Sequence, residues 1–167
     1  PVWDENFAAF KPVNLGIGGD QTGHVLWRLT EGKEIEPLKP KLAVIMIGTN
    51  NLDRAKAFYD AVLGTLGVPP GTLDRHRVFW RTPTGVFSVT LPINGQPATV
   101  GNGSTFGFVC QSAAQADAWH AAGLAQGGST CEDPPGVREG ASGKLYLAYL
   151  RDLDGNKLCA LYRMPKA

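Results

Sequence analysis

Histidine, cysteine and paired carboxylates are the residue types that could carry chemistry in this chain, and their spacing decides what they can do. The histidines are His24, His76 and His120. His24 and His120 fall on predicted helices, His76 lies beside Arg75 and Arg77, and none is paired at ligand spacing. Each is expected to be packed or solvated rather than catalytic. Cys110, Cys131 and Cys159 are odd in number and contain no CxxC. They read as reduced thiols in a cytoplasmic protein. Asp152 and Asp154 read as turn residues, not as a working carboxylate pair. Gly16–Ile17–Gly18–Gly19 follows a strand, as phosphate-binding turns do. It does not satisfy GxGxxG, and no P-loop lysine follows.

The elements that must position these residues are organised around Leu42–Leu66, LAVIMIGTNNLDRAKAFYDAVLGTL. Leu42–Ile47 is a continuous apolar run, expected to be a strand covered on both faces. Gly48–Asn51 is the turn, with Asn50 or Asn51 as helix cap. Leu52, Ala55, Tyr59, Val62, Leu63 and Leu66 share one helical face, and Gly67 with Pro69–Pro70 ends the helix. Upstream, Val13–Ile17 and Asp20–Glu31 read as strand and helix, joined to the organising strand by a charged link, 33–41, as in a βαβ unit. Downstream, Arg77–Arg81, Gly85–Leu91, Thr105–Cys110, Leu145–Leu150 and Leu158–Tyr162 are strands rich in aromatic and β-branched residues. A second helix starts at Ser112 and stops at Gly127–Gly128, with Ala116, Trp119, His120 and Gly123 along one face. Residues 129–143 form a turn-rich loop with room for one short strand, and Asp152–Asn156 is a hairpin turn.

A repeat of 61 residues runs through this pattern. It places Asn51 on Ser112, Ala55 on Ala116, Phe58 on Trp119 and Gly67 on Gly128. The preceding strands align too, Val44–Ile47 on Thr105–Phe108. Each half then reads as a strand, a helix, and two or three further strands.

Composition excludes several classes. The formal net charge is +1, which argues against the basic footprint of a nucleic-acid binder. No apolar run approaches the length of a membrane span, and the first ten residues lack the basic and apolar regions of a signal peptide.

Two families are suggested by motif. Asn51–Gly67, Asp117–Gly128 and Leu150–Ala160 (LRDLDGNKLCA) make the segment from about residue 50 to 162 resemble the glyoxalase/bleomycin-resistance/dioxygenase superfamily, the vicinal oxygen chelate fold. That resemblance implies an α+β fold of paired βαβββ modules around a cleft, often with a divalent metal. Its metal-ligand positions correspond here to Val44, Thr105 and Cys159. Valine cannot ligate, threonine is a poor ligand, and one thiol makes no site, so no metal and no other cofactor is expected. The segments NLGIGGDQTGHVLWRL (14–29) and VIMIGTNN (44–51) resemble the GDSL/SGNH hydrolases, in particular those like platelet-activating-factor acetylhydrolase, which have a flavodoxin-like fold. In that family the equivalents of Gly19 and Asn50 stabilise an oxyanion. The nucleophilic GDS motif of that family does not occur in these 167 residues, and no DxxH pair lies near their C-terminal end, where the family carries it, so Gly19 and Asn50 would be vestiges.

The expectation is therefore a chimera: a βα hydrolase fragment over 1–41, joined to a glyoxalase-like domain over 42–167, with strand 42–47 shared. No intact catalysis is expected, only residual small-molecule binding by a recombinant, natural or made de novo. The alternative is a metal-independent binding module of the bleomycin-resistance type, and the third reading is a metal-dependent lyase or dioxygenase, or an esterase. Phe106, Phe108, Tyr146 and Tyr149 are the cleft candidates, suited to a small apolar or aromatic ligand. A homodimer stays open, whereas nucleic acid and membrane are not expected as partners.

Overall fold

The computed structural model describes residues 43–83, 85–140 and 143–165, within a compact unit that begins at Pro40. The expected strand 13–17, helix 20–31 and Gly19 lie outside the described residues.

Two modules, each strand–helix–strands, build this unit. The first comprises β1 (Ala43–Gly48), α1 (Leu52–Gly64), β2 (Thr72–Asp74), β3 (Arg77–Arg81) and β4 (Gly85–Thr90). Its sheet runs β1-β4-β3-β2, with β1 parallel to β4 and the other pairs antiparallel. The second comprises β5 (Phe106–Val109), α2 (Ala113–Ala125), β6 (Ser129–Thr130), β7 (Gly136–Gly140), β8 (Gly143–Arg151) and β9 (Lys157–Arg163). Its sheet runs β5-β9-β8-β6, and β7 also pairs with β8. Here β5 is parallel to β9. The repeat is thus an architectural one. Both helices are 13 residues long and start 61 residues apart. Asn51 and Ser112 cap them in the same way, each side chain accepting from the N–H three residues on. The repeat slips just past the helix ends, where the left-handed turn falls on Gly67 in one module and on Gly127 in the other.

The helices pack on one side of their sheets. Ala55, Phe58, Tyr59, Val62 and Leu63 of α1 and Ala116, Trp119, His120 and Gly123 of α2 are buried. Gly123 is needed because a Cβ there would meet Leu150 Cδ2 of β8 at 2.5 Å. A chain of rings, Tyr59–Trp80–Phe87–Phe108–Trp119, runs from one module into the other with neighbouring centroids 5.5–6.1 Å apart.

One expectation fails. β1 is not covered on both faces. Ile45 and Met46 are 45% and 46% exposed, and only Ile47 among its described side chains is buried. The physical reason is position: among the described residues β1 pairs only with β4 and forms the edge of its sheet, so its apolar run is not matched by burial. Two short strands, β2 and β6, carry no apolar alternation and were not expected.

Candidate functional site

Strand register sorts the site candidates, because successive side chains point to opposite faces and paired residues share one. In the second sheet, Phe106, Phe108, Leu150, Leu158, Ala148, Ala160, Tyr146 and Tyr162 fall on the helix side. Phe108 packs between Phe87 and Trp119, and Phe106 and Tyr146 lie against the core. The Tyr146 hydroxyl donates to Asp117 Oδ1 of α2 at 2.7 Å. Tyr149 is on the other side. The structure therefore does not bring the four expected cleft aromatics together: three serve the helix-side packing and one faces away.

The face opposite the helices is where Tyr149 meets Cys159, its partner across β8 and β9. Leu145, Leu147 and Leu161 share that face, as does Val109 of β5, which is largely exposed. Arg138 of β7 joins it opposite Leu145. Its guanidinium lies back over Gly136, where a Cβ would meet Nη1 at 3.2 Å. Lys157 sits 4.9 Å from the centre of the Tyr149 ring and forms an ion pair with Glu132. The result is a half-buried apolar strip bordered by cations, with one phenol and one thiol at its centre.

Cys159 is only 6% exposed. Burial pushes its thiol up from the ordinary value, against the opposing pull of a hydrogen bond from Tyr149 and of the Lys157 charge. Tyr149 is raised as well, again chiefly by burial. A protonated thiol is a poor metal ligand. Thr105 is exposed and stands just before β5, not within it, and Val44 pairs with Val86 in β1 and β4. Among the described residues no three of His, Cys, Asp and Glu gather around one point. The residues at the family's ligand positions therefore do not fit a divalent metal.

Asn50 is placed at a different task from the vestigial one expected. Its Oδ1 accepts from the Ala98 N–H at 2.7 Å, while Nδ2 donates to Asp154 Oδ1 at 2.7 Å and to Ala98 O at 3.4 Å. The amide thus holds the inter-module linker at Ala98 and the β8–β9 turn at Asp154. Asn51, not Asn50, caps α1. Asp154 also accepts from the Asn50 N–H and the Thr49 hydroxyl. Asp152 accepts from the Tyr59 hydroxyl at 2.6 Å and from Asn156. The turn Asp152–Asn156 is therefore a clasp on the first module as well as a hairpin turn. Local sequence carried no signal for this, since the partners are 93 to 105 residues away. A shallow depression of about 250 Å³ lies beside the clasp, lined by Asn50, Asn51, Arg54, Leu153 and Asp154. No described helix is long and apolar enough to cross a membrane.

Comparison with known proteins gives two separate similarities. The sequence profile of the Glyoxalase/Bleomycin resistance protein/Dioxygenase superfamily matches residues 41–160. The crystal structure of a glyoxalase/bleomycin resistance protein from Albidiferax ferrireducens is 64% identical with a TM-score of 0.71, covering 72% of this chain and 98% of that one. A glyoxalase-related enzyme from Fulvimarina pelagi shares the fold at 19% identity and a TM-score of 0.57, over 72% of this chain and 86% of its own. The second similarity is shorter. Platelet-activating factor acetylhydrolase IB subunit alpha2 of Rattus norvegicus is 54% identical over 50 residues, 30% of this chain. The chain spans only 21% of the length of that curated relative.

Proposed function

Because the chain belongs to the glyoxalase/bleomycin resistance protein/dioxygenase superfamily, we propose that it holds a small apolar or aromatic molecule on the sheet face around Tyr149 and does so without a metal or catalysis. One observation carries this reading. The face is apolar, partly open and carries Cys159, one of the family's ligand positions, yet that thiol is buried with its pKa raised, and no three of His, Cys, Asp and Glu gather around one point among the described residues. Binding by contact with Leu145, Leu147, Tyr149 and Leu161 needs no charge development, so the face can keep this role where a metal-dependent reaction would lack its Lewis acid.

The test uses the full chain purified without chelator. Elemental analysis is expected to give well under one equivalent of Zn, Fe, Mn or Ni. A full equivalent that disappears in Cys159→Ala overturns the metal-free reading. A thermal-shift screen of small aromatic compounds is expected to find stabilisation. Occupancy at about 100 times Kd corresponds to roughly 2.7 kcal/mol, and it should be weakened by Tyr149→Ala. A silent screen overturns the binding role.

A second reading concerns origin: we infer that the chain joins pieces of two proteins. Supporting it, the Albidiferax protein is covered almost from end to end while more than a quarter of this chain has no counterpart there. A separate 50-residue similarity then points to a protein of another class. The activity of that acetylhydrolase does not follow, because a fifth of its length carries no GDS nucleophile here.

A further inference from the structure

The proposed ligand face is unbalanced in charge. Among the described residues of the second sheet's strands, Arg138, Arg151 and Lys157 share it, and no carboxylate of those strands does. The acidic residue of those strands, Glu139, falls on the helix side opposite Lys144. A solvated face ordinarily intersperses both signs. Lys157 is matched by Glu132 from the preceding loop. Arg138 is not matched in the same way. Its Nη1 and Nη2 donate to the carbonyls of Val137 and Pro134 at 3.2 and 2.8 Å, and both acceptors are neutral. The nearby carboxylate, Asp133, stands 3.9 Å off and is 84% exposed, a contact that water screens almost completely. The carbonyls hold the fork over Gly136, opposite Leu147, without cancelling its charge. A fixed guanidinium at the border of an apolar strip is suited to a planar anion on a flat apolar body.

We propose that the molecule held on this face is a small aromatic monocarboxylate, its ring against Leu147 and Tyr149 and its carboxylate against the Arg138 guanidinium. This rests on the sheet-face reading above and adds the sign of the ligand's charge. A neutral or cationic aromatic of equal size would desolvate the Arg138 charge without supplying an anion against it, so the difference is one of discrimination as well as of affinity.

The experiment titrates the full chain with three probes of one ring system: 1-naphthoate, 1-naphthalenemethanol and 1-naphthylmethylammonium. Naphthoate is expected to bind about tenfold more tightly than the alcohol, with the ammonium weakest. In Arg138→Gln the naphthoate preference should vanish while the alcohol still binds. Arg138→Lys should keep part of it, and so separates charge from loss of fold. Lys144→Gln removes the same charge from the opposite face and should leave the preference intact. Equal binding of naphthoate and alcohol overturns the charge inference while leaving the sheet-face reading standing. An equal loss of preference in Lys144→Gln assigns the effect to net charge and overturns the role of Arg138. Failure of all three probes to bind overturns both.

Discussion

Burial of an ionisable side chain makes stability depend on pH, and His120 is the residue where this chain shows it. His120 lies on the inner face of α2, and its Nε2 has no hydrogen-bond partner among the described residues. Burial lowers its pKa from the ordinary histidine value, with the Tyr149 carbonyl and Asp117 pulling less strongly the other way. The unfolded chain then takes up this proton first as pH falls. Stability should be full above the unfolded value of about 6.5, should decline below it, and should level off beneath the folded pKa. Urea titrations at pH 7.5, 6.5 and 5.5 check this: the wild type should lose stability over that range, and His120→Asn should lose less. An identical decline in both proteins would assign the effect elsewhere. At this scale the sequence was informative about burial and poor about partners. Helical spacing put Ala116, Trp119, His120 and Gly123 on one face, and all four are buried. Spacing could not divide labour between the adjacent Asn50 and Asn51, because the group that engages Asn50 is the distant linker at Ala98.

The turn between β8 and β9 acts as an element in its own right. Short-range reasoning recognises Asp-Leu-Asp-Gly-Asn as a turn, and Gly155 supplies the positive φ of 91° that such a turn requires. What local reasoning does not reach is that its carboxylates tie the second module to the first. Asp154 accepts three hydrogen bonds from Thr49 and Asn50, and Asp152 accepts the buried Tyr59 hydroxyl. Hydrogen bonds to a charged acceptor contribute more than neutral ones. Asp154→Ala is expected to cost about 1.5–3 kcal/mol and Tyr59→Phe about 1–2 kcal/mol, since the latter leaves Asp152 its bond from Asn156. Asp133→Ala removes an exposed contact and should stay within about 0.5 kcal/mol of wild type. Chemical denaturation of the three variants provides the comparison. A silent Asp154→Ala would mean that the clasp is formed without net gain. The strands show the same limit of local reasoning. β3 to β5, β8 and β9 announce themselves by apolar and aromatic content, whereas β2 and β6 are held only by their neighbours' ladders.

At the scale of the whole molecule the question is which residues the body needs. Its modules repeat at 61 residues, so β1 stands in the first module where β5 stands in the second. That equivalence was legible because strand, cap and helix recur together. The edge position of β1 was not, because an apolar run reads the same at an edge and in a centre. β1 runs parallel to β4 over six residues, places Ile47 in the core, and leads directly into the Thr49–Asn50 segment held by Asp154. Deleting residues 1–48 removes that ladder and bares one side of β4. It also takes away the burial of Ile47, about 1.5–3 kcal/mol by itself. Deleting residues 1–38 leaves every one of these contacts in place, since the compact unit begins at Pro40. The shorter deletion is expected to give a folded protein with a cooperative melt and compact elution, and the longer one a chain without a cooperative transition. Circular dichroism melts and size-exclusion chromatography of both decide it. If the shorter deletion is already unfolded, the first 38 residues are part of the body's own core. If the longer one melts cooperatively, β1 is dispensable, and the reading of two pieces joined through this strand falls with it.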